Sequence, residues 1–240
     1  MFDKMWKRAL LLVLVGSAVT AVTGGRIGAQ SAPTASVAVD RQVTPPPDAE
    51  AIPGAILYNQ YNNPGADALT SQNFEAIYDS YDSFLADDFM AGTDQAWRIT
   101  GVDVDGQYTV PGGPATSFNV FIHRNDAATN LPKEPAAITR LNQAYTLIGT
   151  NTFRITVSPP MFIPKVGNRH LWISVQANMD AGTNGQWFWT DRSVQSNTGA
   201  AWKNPGGGFG VGCLTYADMN GCLGIADPDL MFRLSGLIAP

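Results

Sequence analysis

The residues best equipped for chemistry lie close together, in residues 170–222. That stretch holds four of the six tryptophans, both cysteines and the triple glycine 206–208. In Gln186-Trp187-Phe188-Trp189, strand parity puts Trp187 and Trp189 on one face and Phe188 on the other. Two tryptophans about 7 Å apart on an exposed strand make a stacking platform for sugar rings, whose C–H faces are apolar. Trp202, Tyr216, Gln186, Asp191 and Arg192 would then supply the contacts that orient a hydroxylated ligand. The competing reading gives the tryptophans to the core, or to a cover over one sheet beneath the glycine-rich loop.

Carboxylates gather at strand entrances. Asp87 and Asp88 precede Phe89, and Asp227 and Asp229 precede Leu230. These four are the candidate calcium ligands, with Asp103, Asp105 and Asp180 as further oxygen donors, because calcium takes six to eight such oxygens. No D-x-D-x-D-G loop is present, and service in turns and strand ends is the plainer account. The loop Asn204-Pro205-Gly206-Gly207-Gly208-Phe209-Gly210 lacks the Lys-Ser/Thr continuation and following helix of a phosphate cradle, so it reads as a tight loop carrying Phe209. Cys213 and Cys222 are expected to form a disulfide that pins residues 214–221; C-x8-C matches no zinc spacing.

Catalysis finds little support. His123 and His170 are the only histidines, and neither lies in a zinc motif. There is no G-x-S-x-G elbow, and no carboxylate pair is singled out for glycoside hydrolysis. A non-enzymatic chain is the expectation.

The framework for these residues is all-β. Period-2 alternation dominates, Gly and Pro punctuate it, and no long stretch has helical periodicity. Strands are expected at residues 55–58 and 83–90, then through Trp97-Arg98-Ile99-Thr100-Gly101-Val102-Asp103-Val104. There the inward phase slips from Trp97 and Ile99 to Val102 and Val104, which predicts a β-bulge at Gly101 in one bent strand, with Asp103 and Asp105 facing outward. Further inward rows are Phe118, Val120 and Ile122; Phe153, Ile155 and Val157, ended by Pro159-Pro160; Leu171, Ile173, Val175 and Ala177; and Leu230, Phe232 and Leu234. Residues 62–65 read as a turn, a short helical turn is weighed around residues 74–77, and residues 125–143 read as loop. Half-buried antiparallel strands of this kind pack as an antiparallel β-sandwich, with jelly-roll-like topology expected.

Residues 1–29 read as a signal peptide, with Lys4, Lys7 and Arg8 before an apolar run at residues 9–22. Cleavage after Ala29 is favoured over Ala21, and an uncleaved N-terminal anchor is the alternative. Residues 30–50, with Pro45-Pro46-Pro47, read as a disordered linker. Residues 51–240 suit one domain. Removing residues 1–29 takes away four basic residues (Lys4, Lys7, Arg8, Arg26) and one acid (Asp3), moving the net charge from −5 to −8. Such acidity without a basic cluster in sequence argues against nucleic acid or a membrane surface as partner.

With Ala86-Asp87-Asp88-Phe89, Ile99-Thr100-Gly101-Val102, Gln186-Trp187-Phe188-Trp189, the loop 204–209 and Asp229-Leu230-Met231-Phe232-Arg233-Leu234 in view, the chain resembles a group of uncharacterised exported bacterial β-sandwich modules over residues 75–238. Such modules occur alone or appended to larger secreted proteins. The resemblance implies export and fold; it transfers no catalytic residue. The leading expectation is thus a secreted module binding an extracellular ligand, carbohydrate first, through the aromatic segment. The rivals are a structural or adhesion module contacting proteins, with its aromatics in the core, and an exported hydrolase.

Overall fold

A computed structural model describes residues 35–42, 54–92, 95–165, 167 and 169–239. The expected signal peptide and Pro45-Pro46-Pro47 lie outside the described residues. The strands in chain order are β1 (Ala38–Asp40), β2 (Ala55–Asn59), β3 (Pro64–Thr70), β4 (Gln72–Asn73), β5 (Phe84–Ala91), β6 (Ala96–Tyr108), β7 (Ser117–Asp126), β8 (Leu131–Pro132), β9 (Ile138–Gln143), β10 (Tyr145–Ile148), β11 (Thr152–Ile163), β12 (Arg169–Asn178), β13 (Trp187–Arg192), β14 (Ala201–Lys203), β15 (Ala217–Asp218), β16 (Asp229–Leu230) and β17 (Phe232–Ala239). Among the described residues, a 3-10 turn (Ala76–Tyr81) and two single-turn helices (Ala181–Asn184, Met219–Leu223) complete the regular structure.

Two sheets pack face to face as an all-β sandwich. One runs β1-β3-β13-β6-β11-β10, with β17 joining β6 to β2 and β16 on β13; the other runs β15-β14-β5-β12-β7-β8, with β4 on β12 and β9 on β7. Pairing is antiparallel except between β4 and β12. The inward rows read from the alternation form one core: Val102, Val104, Phe118, Val120, Phe153, Ile155, Ile173, Val175, Phe232 and Leu234 all have no exposed surface. Burying side chains of this size contributes roughly 1.5–3 kcal/mol each.

The predicted bulge is present. Gly101 pairs with Ser235 but Ile99 pairs with Gly236, so Thr100 is the extra residue. Residues 157–160 of β11 bulge opposite the same point, because its register to β6 shifts between Thr156 and Met161. β11 therefore does not end at Pro159-Pro160, as the sequence suggested; prolines lack an N–H to give and are tolerated where the ladder is already interrupted. Asp103 and Asp105 lie on the face away from the core row, as expected, but both are buried there. The Asp103 carboxylate takes the guanidinium of Arg154 at 3.1 Å and of Arg233 at 2.7 Å. Asp105 accepts the Thr190 hydroxyl at 2.6 Å.

Three further readings change. Residues 125–143 are not all loop, because β9 pairs along β7. The last strand is split: β16 pairs with β13 and β17 with β6 and β2. Within the segment read as a linker, Ala38–Asp40 pairs with residues 67–69 of β3 as an edge strand. Its flank is held by Gln186, which accepts from the Ser36 N–H at 2.7 Å and donates to the Ser36 carbonyl at 3.1 Å.

Candidate functional site

The aromatic segment is interior. Trp187, Trp189 and Trp202 have no exposed surface, and Tyr216, Gln186, Asp191 and Arg192 are buried too. Trp187 packs edge-on against Phe118 and Phe153, with ring centres 5.0 and 5.6 Å apart. The Trp189 indole N–H donates to the Met231 carbonyl at 2.8 Å, and that of Trp202 to the Thr70 carbonyl at 3.2 Å. These seven residues therefore form no exposed platform. The physical reason is that β13 lies between β3 and β6 in its sheet, and every one of its residues is buried. The unbroken apolar run Trp187-Phe188-Trp189 carries the signal, because a strand buried on both faces does not alternate.

The glycine-rich loop closes over the 3-10 turn. A Cβ at Gly206 would lie 2.4 Å from the Ser80 Cα, so only glycine permits this backbone approach. The Gly208 N–H donates to the Ser80 carbonyl at 2.7 Å, and Phe209 seats its ring against Phe74, Tyr81 and Trp202. Cys213 and Cys222 are joined, with Cα atoms 6.1 Å apart.

The four expected calcium ligands do not share one site. Asp87 is buried, and its carboxylate accepts from Gln60 and from the N–H groups of Asp88 and Leu230. Asp88 accepts from the Thr198 N–H, the Asn197 amide and the His170 ring. Asp229 accepts from Arg192 and the Ser196 N–H. These three carboxylates already bind N–H donors and tie β5, β16 and the 196–198 segment together. Burial, then the charge of Asp229, pushes Asp87 well above the usual carboxylate range, and burial pushes Asp229 up to about 7. Asp227 sits elsewhere, against β3. Among the described residues no three acidic, histidine or cysteine side chains are gathered at metal distance.

A basic cleft lies at one end of β7 and β12. Arg124, Asn125, Arg169, His170 and Leu171 line about 440 Å³ of space. Arg124 also borders a neighbouring hollow of about 330 Å³, together with Lys133 and Glu134. Arg124 continues the inward row of Phe118, Val120 and Ile122, and Arg169 that of Leu171 and Ile173, each past the end of the core. Leu171 pairs with Arg124 across the ladder, which brings the two rows side by side. His170 enters from the outer face, where its Nε2 lies 2.5 Å from Asp88 Oδ2 and its ring stacks on the buried Trp172. The Trp172 indole N–H in turn donates to Asn125 Oδ1 at 2.9 Å. The cleft floor is thus fixed by buried partners, and the carboxylate of Glu134 is engaged by the Lys203 ammonium.

His123 is buried and not part of this wall; its Nδ1 lies 3.1 Å from the Lys133 carbonyl, and burial lowers its pKa. Arg124 and Arg169 were not singled out from sequence. Their only signal was a charged residue at the core parity just beyond an apolar row. No protein-family model matches the chain, and no curated protein matches it in sequence. Among the described residues no helix is long and apolar enough to cross a membrane.

Proposed function

We propose that this chain is an exported, non-catalytic β-sandwich module that binds an anionic extracellular glycan in the cleft of Arg124, Arg169 and His170. The observation that carries this reading is that Arg124, Arg169 and His170 line one open cleft in an acidic chain. A guanidinium presents donors in a planar fork that matches a carboxylate or sulfate in two-point contact. The N-terminal apolar run and the Cys213–Cys222 disulfide support export to an oxidising compartment. Carbohydrate remains the ligand class, but uronate or sulfate groups rather than stacked sugar rings supply the contact.

The test is titration of the chain with uronate-rich, sulfated and neutral polysaccharides, with Arg124→Ala as the variant. Binding of the acidic polymers that weakens steeply with salt, and at least about tenfold in Arg124→Ala, supports the cleft. Equal binding of neutral glycans, or none of any glycan, refutes it. The adhesion reading has its own observation. Phe162 and Leu237 flank Arg98 across β11, β6 and β17, with Ile56 on the neighbouring strand, and all three apolar residues are about half exposed. A protein partner would be sought on that outer face.

A further inference from the structure

The cleft of Arg124, Arg169 and His170 does not end at Arg124. That residue also borders the second hollow, whose other walls are Lys133, Glu134, Pro135, Ala136 and Ala137. Ladder register explains the continuity. Leu171 of β12 pairs with Arg124 of β7, and Asn125 of β7 pairs with Pro132 of β8. One step past Pro132, the Lys133 N–H donates to the Arg124 carbonyl at 2.8 Å, so Lys133 stands directly across from Arg124. Opposite residues of an antiparallel ladder share a face. Arg169 lies two residues along β12 from Leu171, on that face again. Arg169, Arg124 and Lys133 thus mark a diagonal over three neighbouring strands. Its backbone steps are about 5 Å between strands and about 7 Å along β12.

The second hollow is held in shape from both sides. Residues 133–137 arch away from β7 and return to it, where the Ala137 N–H donates to the Ile122 carbonyl at 2.8 Å. Glu134 places an acid on the wall, but the Lys203 ammonium engages its carboxylate. Lys203 is itself fixed, 4.5 Å from the ring centres of both Phe84 and Tyr216. Arg124 and Lys133 are exposed. Among the described residues neither of their charges takes part in an ion pair. Two unanswered cations side by side are notable in a chain of net charge −5. Pro135, Ala136 and Ala137 set apolar surface beside them, the mixture that suits a ligand with both C–H faces and acidic groups.

We propose, building on the reading of the cleft as a glycan site, that the two hollows are adjoining subsites for one linear polyanionic glycan. One acidic unit lies among Arg169, His170 and Arg124, and the next unit along the polymer reaches Lys133. Arg124, common to both hollows, binds where the two units join. The ligand class narrows accordingly, to polymers that carry a charge on successive sugars, as polyuronates do. The short step from Arg124 to Lys133 calls for charges on neighbouring rather than distant units. Once the first unit is bound, contact with the second is intramolecular, so affinity rises well beyond that of either contact alone. Walls already held by the β7 ladder and by Lys203 keep the ordering cost of binding low.

The experiment is calorimetric titration of the full chain, at low salt, with galacturonate oligomers from monomer to hexamer. Affinity is expected to rise at least about tenfold from monomer to trimer. That exceeds the roughly threefold gain that three equivalent units give by their number alone. From trimer to hexamer the rise should be only in proportion to the added units. Lys133→Ala is expected to cut the gain from monomer to trimer to about threefold, and Lys133→Arg to preserve it. Arg124→Ala should weaken the trimer as well as the monomer. A parent gain of threefold or less, or a tenfold gain that persists in folded Lys133→Ala, overturns the second subsite and leaves the cleft reading standing on the binding observed. Failure of every oligomer to bind the parent chain overturns both.

Discussion

Trp187 and Trp189 offer a paired substitution whose outcome follows from one structural difference. Both are fully buried, both belong to the main core, and Trp→Phe removes the same atoms from each. The cavity and transfer costs are therefore similar and largely cancel in a comparison. The indole N–H groups differ. That of Trp189 donates to the Met231 carbonyl at 2.8 Å, whereas that of Trp187 is buried without a partner. Losing a made bond costs about 1 kcal/mol, while removing an unsatisfied buried donor relieves about 1–3 kcal/mol. Trp187→Phe should therefore be more stable than Trp189→Phe by about 2–4 kcal/mol. For a domain of this size the difference corresponds to roughly 4–16 °C in Tm. Calorimetric melting and urea unfolding of both variants measure it, with equal m values as the check that the unfolding reaction is the same. Trp187→Ala, which removes the whole ring, should cost about 3–5 kcal/mol. If Trp187→Phe proves as damaging as Trp189→Phe, the assignment of partners is wrong. If Trp187→Ala leaves Tm unchanged, so is the burial of the segment.

Two other outcomes are expected. Replacing Cys213 and Cys222 by serine should lower stability by roughly 2.5–3 kcal/mol, from the entropy returned to a small loop in the unfolded chain; an unchanged urea midpoint would show that the loop is held without the bond. Asp229 should make stability fall as pH rises through about 7. Its folded pKa lies above the unfolded value near 3.8, so between the two the folded chain holds a proton that the unfolded chain lacks. The contribution is full at low pH and is lost above about pH 7, so Tm of the parent should drop relative to Asp229→Asn from about pH 5 to about pH 8. Parallel Tm profiles for the two proteins would refute the shift.

Much of the scaffold is local in origin and was legible. Alternation in Phe118-Asn119-Val120 and Phe153-Arg154-Ile155 fixes which side chains enter the core, because a strand has only two faces. The phase slip at Gly101 likewise announced its bulge, and the cysteine pair its bond. Local reading failed where neighbours decide. Pro159-Pro160 reads as a stop, yet a bulge opposite Thr100 carries β11 through it. Ala38–Asp40 reads as linker, yet β3 offers it an edge.

The sequence by itself determined an all-β sandwich, its inward rows and its disulfide, since each depends on residues near one another in the chain. Tertiary structure alone decided where function can reside. Exposure of Trp187 and Trp189 depends on β13 having β3 on one side and β6 on the other, which no property of residues 187–189 specifies. The meeting of Arg124 with Arg169 depends on ladder register between distant strands. A binding site is a sum of such long-range coincidences, and register is set by the packing of the whole sheet rather than by the residues that converge.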